Sequence, residues 1–196
     1  GYDFVDAAQL VCFDFDGKLN LDKTYEAMRQ ALSEHERIVM PGFYGVMPNG
    51  AIHVMTRGGS DITGAIVANA LDADIYENWT DVSGILMADP KVVKEPRPIP
   101  YITYQELREL SYMGASVLHE EAIFPVRSEG IPINIRNTNE PDNSGTWIVE
   151  STCQKPKFVI TGIAGKRGFC SVNIEKDMMN SEIGFGRRIL QAFDDN

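Results

Sequence analysis

Cysteine is scarce in this chain, with three residues in 196: Cys12, Cys153 and Cys170. None belongs to a CxxC pair, which excludes a disulfide framework and suits a reducing, cytoplasmic setting. Histidine is equally sparse, at His35, His53 and His119, with no HxxxH spacing and no Cys/His cluster, so no structural zinc site is expected. Basic residues number 18 against 28 acidic ones, and the net charge of −10 argues against a nucleic-acid partner. No apolar run approaches the roughly 18–20 residues of a membrane-spanning helix, so no membrane partner is expected. The opening Gly1-Tyr2-Asp3-Phe4 has no initiator Met, basic leader or apolar stretch. From this we expect a piece of a longer chain.

Hydrophobic residues at 43% and charged ones at 23% are in the range of an ordinary globular protein, and the length suffices for a core without covalent staples. Charge is unevenly placed. Residues 1–149 carry 11 basic and 22 acidic side chains, whereas residues 150–196 carry 7 and 6. A step of this kind accompanies domain boundaries.

Along the first segment, Asp22 is placed to cap a helix whose apolar face holds Tyr25, Met28, Ala31 and Leu32. After Ile38-Val39-Met40 comes Gly42-Phe43-Tyr44-Gly45, then the turn signal Asn49-Gly50 and a strand over 51–56. A glycine turn, a helix over 62–71 and a strand over 75–80 follow. That order predicts a βαβ unit and a parallel sheet. Pro90, Pro96, Pro98 and Pro100 mark an extended connection. Thr103 and Glu106 have the spacing of a capping box for a helix ending near Gly114. A helix over 116–123, a strand over 131–135 and a strand over 147–149 complete this part. Beyond it, 155–157 reads as a linker, 158–163 and 170–174 as strands, and 181–193 as an amphipathic helix. The stripe of that helix is Phe185, Ile189 and Phe193.

Two loops at expected strand ends attract chemistry. In Thr56-Arg57-Gly58-Gly59-Ser60-Asp61, glycines admit a close backbone approach, a helix N-terminus offers free N–H groups, and Arg57 offers a fork for a carboxylate or phosphate. The plain alternative is a glycine turn with Ser60 as helix cap. In Thr80-Asp81-Val82-Ser83-Gly84, Asp81 either meets a ligand or bonds its own backbone, and Asp89-Pro90 reads as a turn start. Phe43 either flanks a pocket or fills the core. His119 reads as a satisfied helix residue, and no Ser/His or Cys/His pairing indicates a hydrolase.

Taken in order, Gly42-Phe43-Tyr44-Gly45, Thr56 to Asp61, Tyr76 to Gly84, Ala88-Asp89-Pro90-Lys91-Val92-Val93 and Gly114-Ala115-Ser116-Val117-Leu118-His119 resemble the aspartokinase branch of the amino acid kinase family. The resemblance covers 1–150, as the carboxyl-side part of the catalytic domain. Residues 151–157 then form a linker, and 158–196 resemble, more loosely, the truncated start of an ACT regulatory domain. The fold it implies is α/β, a three-layer αβα sandwich around a mainly parallel sheet, followed by a partial ACT-like α+β domain.

The activity implied is transfer of the ATP γ-phosphate to the side-chain carboxylate of L-aspartate, with Mg²⁺ required. An amino-acid effector, lysine or threonine, is implied, as is a homodimer or higher homo-oligomer of the intact parent. Other amino acid kinases, and a non-catalytic amino-acid-sensing ACT protein, are the alternatives. The resemblance assigns Arg57 and Ser60 to aspartate, Phe43 to the same pocket, and Asp61 to organising the active site. It assigns Gly58, Gly59, Thr80, Asp81, Leu86, Asp89, Lys91 and Ser116 to the nucleotide, and Ser181, Gly184 and Phe185 to the effector. For the effector group, simple packing with Ser181 as N-cap is the alternative. Ser116 stands where many relatives carry lysine, and Leu86 where many carry tyrosine. The family's Lys-Phe-Gly-Gly motif is absent from these 196 residues, so little or no kinase activity is expected of them alone.

Overall fold

Helix α1 (Leu21–Leu32) begins where Asn20, in an extended conformation, accepts a hydrogen bond from the Lys23 amide through its side chain. Asn20 therefore caps the helix, not Asp22. Asp22 sits in the first turn, where a negative charge faces the positive end of the helix dipole. The buried face of α1 carries Thr24, Met28 and Leu32. The computed structural model describes residues 1–114, 118, 120–152, 159–165, 167–168, 170–179 and 182–194.

Short strands β1 (Asp3–Phe4) and β2 (Ile38–Val39) pair in parallel around α1. The next two strands, β3 (Tyr44–Val46) and β4 (Ile52–Val54), form an antiparallel hairpin. Gly50, at φ 81°, makes its turn with an N–H bond to the Met47 carbonyl. The expected βαβ unit is not formed: β4 pairs with β3 and shares no sheet with the strand that follows the helix. The turn signal at Asn49-Gly50 selects the local partner over the distant one.

Helix α2 (Gly59–Ala70) then leads into β5 (Tyr76–Thr80). Ser60 lies inside α2 and does not cap it. The cap is Gly58, whose φ of 84° is left-handed backbone that glycine adopts without a Cβ clash. Strands β6 (Ile85–Leu86) and β7 (Pro98–Ile99) pair antiparallel, so the proline-rich connection between them returns on itself. Next come β8 (Tyr101–Thr103) and helix α3 (Tyr104–Tyr112), which opens with the expected capping box of Thr103 and Glu106. Helix α4 (Glu120–Ser128) runs on through Pro125, past the end expected near 123. Strand β9 (Ile133–Asn137) starts two residues later than expected, because Ile131 still bonds back to Val126. Strand β10 (Thr146–Val149) matches its expected place.

The main sheet has the order β5-β9-β10-β8. It is mixed: its two outer pairings are parallel and the central β9/β10 pairing is antiparallel. One face carries Asn78, Ile133, Ile135, Ile148 and Ile102, all buried. Helix α2 packs on β5, α3 on β8 and β10, and α4 joins α2 to α3. The opposite face carries Glu77, Trp79, Arg136, Trp147 and Tyr101. Trp79 is 44% exposed there, and the Arg136 guanidinium lies 4.7 Å from its ring centroid.

The described chain divides into two units, 1–165 and 166–196. In the second, helix α5 (Phe185–Asp194) is the only regular element among the described residues, and it buries no side chain. The strands expected at 158–163 and 170–174 are not formed in the described residues of those spans. A strand is defined by its ladder, and neither the described part of 158–163, which belongs to the first unit, nor 170–174 in the second pairs in one. The linker at 155–157 lies outside the described residues.

Candidate functional site

The first cluster is built on the N-terminus of α2. Left-handed Gly58 turns the chain from β4 into the helix, and leaves the first amides of α2 without a side-chain cap. Gly59 is buried so tightly that a Cβ there would stand 2.7 Å from Met55 Cβ and 3.0 Å from Phe43 Cα. This contact brings the Phe43 loop onto the helix start. Phe43 itself adopts φ 66°, its amide donates to Thr63 Oγ1 at 3.1 Å, and its ring is about half exposed. It is not a core residue. Arg57 and Ser60 are exposed beside it, and among the described residues Arg57 has no partner. Free amides, the positive helix end and an unpaired guanidinium are groups of the kind that attract a carboxylate.

Asp61, in the first turn of α2, is fixed from below by β5. Asn78 Nδ2 donates to Asp61 Oδ1 at 3.0 Å and to Tyr76 Oη at 3.0 Å. Tyr76 Oη in turn donates to the Asp61 carbonyl at 3.2 Å. Burial pushes the Tyr76 phenol up to about 12, so it stays a donor at neutral pH. Gly64 makes room for the phenol: a Cβ on it would stand 2.7 Å from Tyr76 Oη.

The second cluster lies past the end of β5. Thr80 Oγ1 donates to Asp81 Oδ1 at 3.3 Å, and the Thr80 carbonyl accepts from the amide and hydroxyl of Thr138. Asn137 donates to Ser83, and Ser83 donates to Glu140. Gly84, at φ 93°, lies against Thr146, whose hydroxyl donates to the Ile99 carbonyl and accepts from the Ile85 amide. This ties the loop after β5 to β7 and β10. A cavity of about 310 Å³ opens alongside, with Gly84, Leu86, Asp89 and Gly114 in its lining. One oxygen of Asp89 accepts from the Lys91 amide at 2.8 Å, so the turn reading of Asp89-Pro90 holds. Lys91 is exposed and does not line the cavity.

The structure thus gathers Phe43, Gly58, Gly59, Ser60 and Asp61 at one helix end, with Arg57 beside them, and Leu86 and Asp89 at one cavity. Thr80 and Asp81 continue β5 just beyond the strand residues that hold Asp61. Ser116 and Ser181 lie outside the described residues, as does His119. Gly184, at φ 80°, and Phe185 lie at the start of α5, where Lys176 Nζ stands 4.9 Å from the Phe185 ring centroid. The sequence assigned no site role to Thr63 or Thr146, nor to Tyr76 and Asn78 within the Tyr76 to Gly84 motif. A polar residue alternating into the buried side of a strand, as Asn78 does, is the signal that could have found one of them.

A family model described as the amino acid kinase family matches residues 4–137. Aspartokinase 3 of Bacillus subtilis (strain 168) is 44% identical over 176 residues, which make up 90% of this chain and 38% of that protein. Among solved structures, aspartate kinase of Clostridium acetobutylicum aligns with a TM-score of 0.84 at 49% identity, covering 99% of this chain and 45% of that one. Aspartokinase III of E. coli, in complex with aspartate and ADP, aligns with a TM-score of 0.71 at 28% identity, over 77% of this chain and 35% of that one. The same protein has been solved with lysine and aspartate. The chain therefore spans a little over a third of the curated relative it matches.

Proposed function

The chain belongs to the amino acid kinase family, and from that premise we propose that it is part of an aspartokinase. In this reading the whole protein transfers the γ-phosphate of ATP to the side-chain carboxylate of L-aspartate. The observation that carries it is the exposed, unpaired Arg57 beside the uncapped N-terminus of α2. Arg57 grips the α-carboxylate of aspartate with two charge-assisted hydrogen bonds, Ser60 and the helix amides add donors, and Phe43 flanks the substrate. Asp61 orders the reacting groups, held in one orientation by Asn78.

Phosphoryl transfer depends mostly on positioning and charge neutralisation, so a site made of fixed donors suits it. The nucleotide is assigned to the second cluster, with Leu86 and Asp89 in the cavity lining and Thr80 and Asp81 just ahead of it in the chain; Gly58, Gly59, Lys91 and Ser116 complete the assignment. Among the described residues no three His, Cys, Asp or Glu side chains converge as a metal cage. Mg²⁺ arriving with ATP would keep phosphate oxygens and water in its shell, as this ion prefers, and Asp61 and Asp81 would be the carboxylates to hold it. Bound there, it would neutralise phosphate charge.

The reading extends to the whole protein as a cytoplasmic homo-oligomer. The open sheet face then takes the second helical layer of a three-layer sandwich. Residues after 165 then contribute to an ACT-like regulatory domain that binds lysine or threonine through Gly184 and Phe185.

The test is ADP release by the full protein that carries these residues, with L-aspartate compared against glutamate, acetylglutamate, carbamate and UMP. Aspartate is expected to be the preferred acceptor. Arg57→Ala is expected to raise the aspartate KM by about 100-fold or more, the scale of a lost charged contact of roughly 3 kcal/mol, with ATP KM within threefold. An equal loss for both substrates would remove Arg57 from the aspartate site.

A further inference from the structure

One side of the cavity is closed by Ile163, Ala164 and Gly165, from the stretch that sequence reading gave to the regulatory region. Three ties hold this stretch on the first unit. The Ile163 amide donates to the Met87 carbonyl at 2.7 Å, next to Leu86. Thr161 Oγ1 donates to Glu106 Oε1 at 2.6 Å. Gly162 lies so close to the apolar floor that a Cβ would stand 3.1 Å from Leu110 Cδ1 and 3.4 Å from Ile99 Cδ1. These contacts are specific and independent, and together they make residues 161–165 a strap across the cavity.

The strap leaves an apolar side chain in water. Ile163 is 67% exposed at the cavity, and Val82, also in the lining, is 40% exposed. A pinned backbone that presents an aliphatic side chain to an open cavity is suited to a flat, weakly polar ring. Among the described residues Asp89 is the one charged residue in the lining and it is negative, so a polyphosphate is unwelcome at this end. At about 310 Å³ the cavity is at the small end of ligand pockets, the size for a base and not for a whole nucleoside triphosphate.

We propose that the strap is a specificity element of the nucleotide site, with Ile163 supplying the apolar wall against which the purine base of ATP or ADP rests. This rests on the reading of the second cluster as the nucleotide site. It places a base contact on the carboxyl side of the kinase unit, in the last residues before the second unit begins. Glu106 is then a positioning residue: its carboxylate holds Thr161 and so sets the height of the wall.

The experiment measures ADP and tripolyphosphate binding by calorimetry in the full protein, with aspartate KM determined in parallel. Tripolyphosphate has the phosphates and no base. Ile163→Ala is expected to weaken ADP about tenfold, with tripolyphosphate affinity and aspartate KM within twofold. Ile163→Leu is expected to restore ADP binding to within threefold of wild type. Thr161→Val is expected to weaken ADP by about three- to fivefold, and Val159→Ala, at a fully exposed position just upstream, to change nothing. The inference is overturned by unchanged ADP affinity in Ile163→Ala, or by parallel loss of ADP and tripolyphosphate. A wild-type protein that binds aspartate but no ADP would overturn both this inference and the reading beneath it.

Discussion

At the scale of single residues, the Asp61 carboxylate is oriented by one buried amide. Replacing Asn78 with Leu keeps the volume and removes both donated bonds, leaving Asp61 free to rotate. A positioning loss of about 1.4 kcal/mol is tenfold in rate. Asn78→Leu is therefore expected to lower kcat about tenfold in steady-state assays of the whole protein, with aspartate KM within threefold. The space beneath the phenol gives a second expectation. Gly64→Ala would gain up to ~1 kcal/mol of helix propensity, but its methyl would meet Tyr76 Oη at 2.7 Å. Overpacking of that kind costs about 1–3 kcal/mol, so the change is expected to destabilise in urea unfolding. The Arg-Gly-Gly-Ser-Asp loop was legible because its residue types announce anion chemistry in sequence. The bracket under it was not, since Asn78 meets Asp61 across a strand–helix interface 17 residues away.

At the scale of elements, local signals decided what the sequence showed. The capping box at Thr103 and the Asn49-Gly50 turn are short-range codes, and both appear in the structure where they were read. The Asn49-Gly50 turn gave β4 its local partner β3, while the parallel pairing with β5 depended on a long-range contact that the structure does not make. The α3 cap also gives a pH expectation. Burial pushes the Glu106 carboxyl up, but hydrogen bonds from Thr161 and from the Thr103 amide and hydroxyl outweigh it and hold the group below its ordinary 4.5. A pKa depressed on folding contributes stability above the unfolded value, and that stability is lost as pH falls through the folded one. Glu106→Gln should therefore lower the urea midpoint at pH 7 and flatten its decline between about pH 5 and pH 3. An unchanged slope in that window would mean the carboxylate contributes nothing to the cap.

At the scale of the whole molecule, the charge step near 150 was visible in composition, while the compact first unit runs on to Gly165. Composition cannot register the strap, because its ties are two hydrogen bonds and a close glycine contact to residues 50 or more positions earlier. The apolar face of α5, with Leu190 at 71% and Phe193 at 61% exposure, was legible as an amphipathic stripe. What it faces in the whole protein is a long-range matter that periodicity does not encode. The strap also bears on how this protein can be cut. A chain ended at the charge step would lose Thr161 and Ile163, strip the cover from Leu110 and Ile99, and leave the Met87 carbonyl without its donor. Cut after 165, the first unit keeps them all, and it should outlast the shorter chain by about 2 kcal/mol in urea and resist protease longer. In this molecule, the last residues that look like tether are structural members of the first unit, so the seam for dissection or domain exchange falls after the strap.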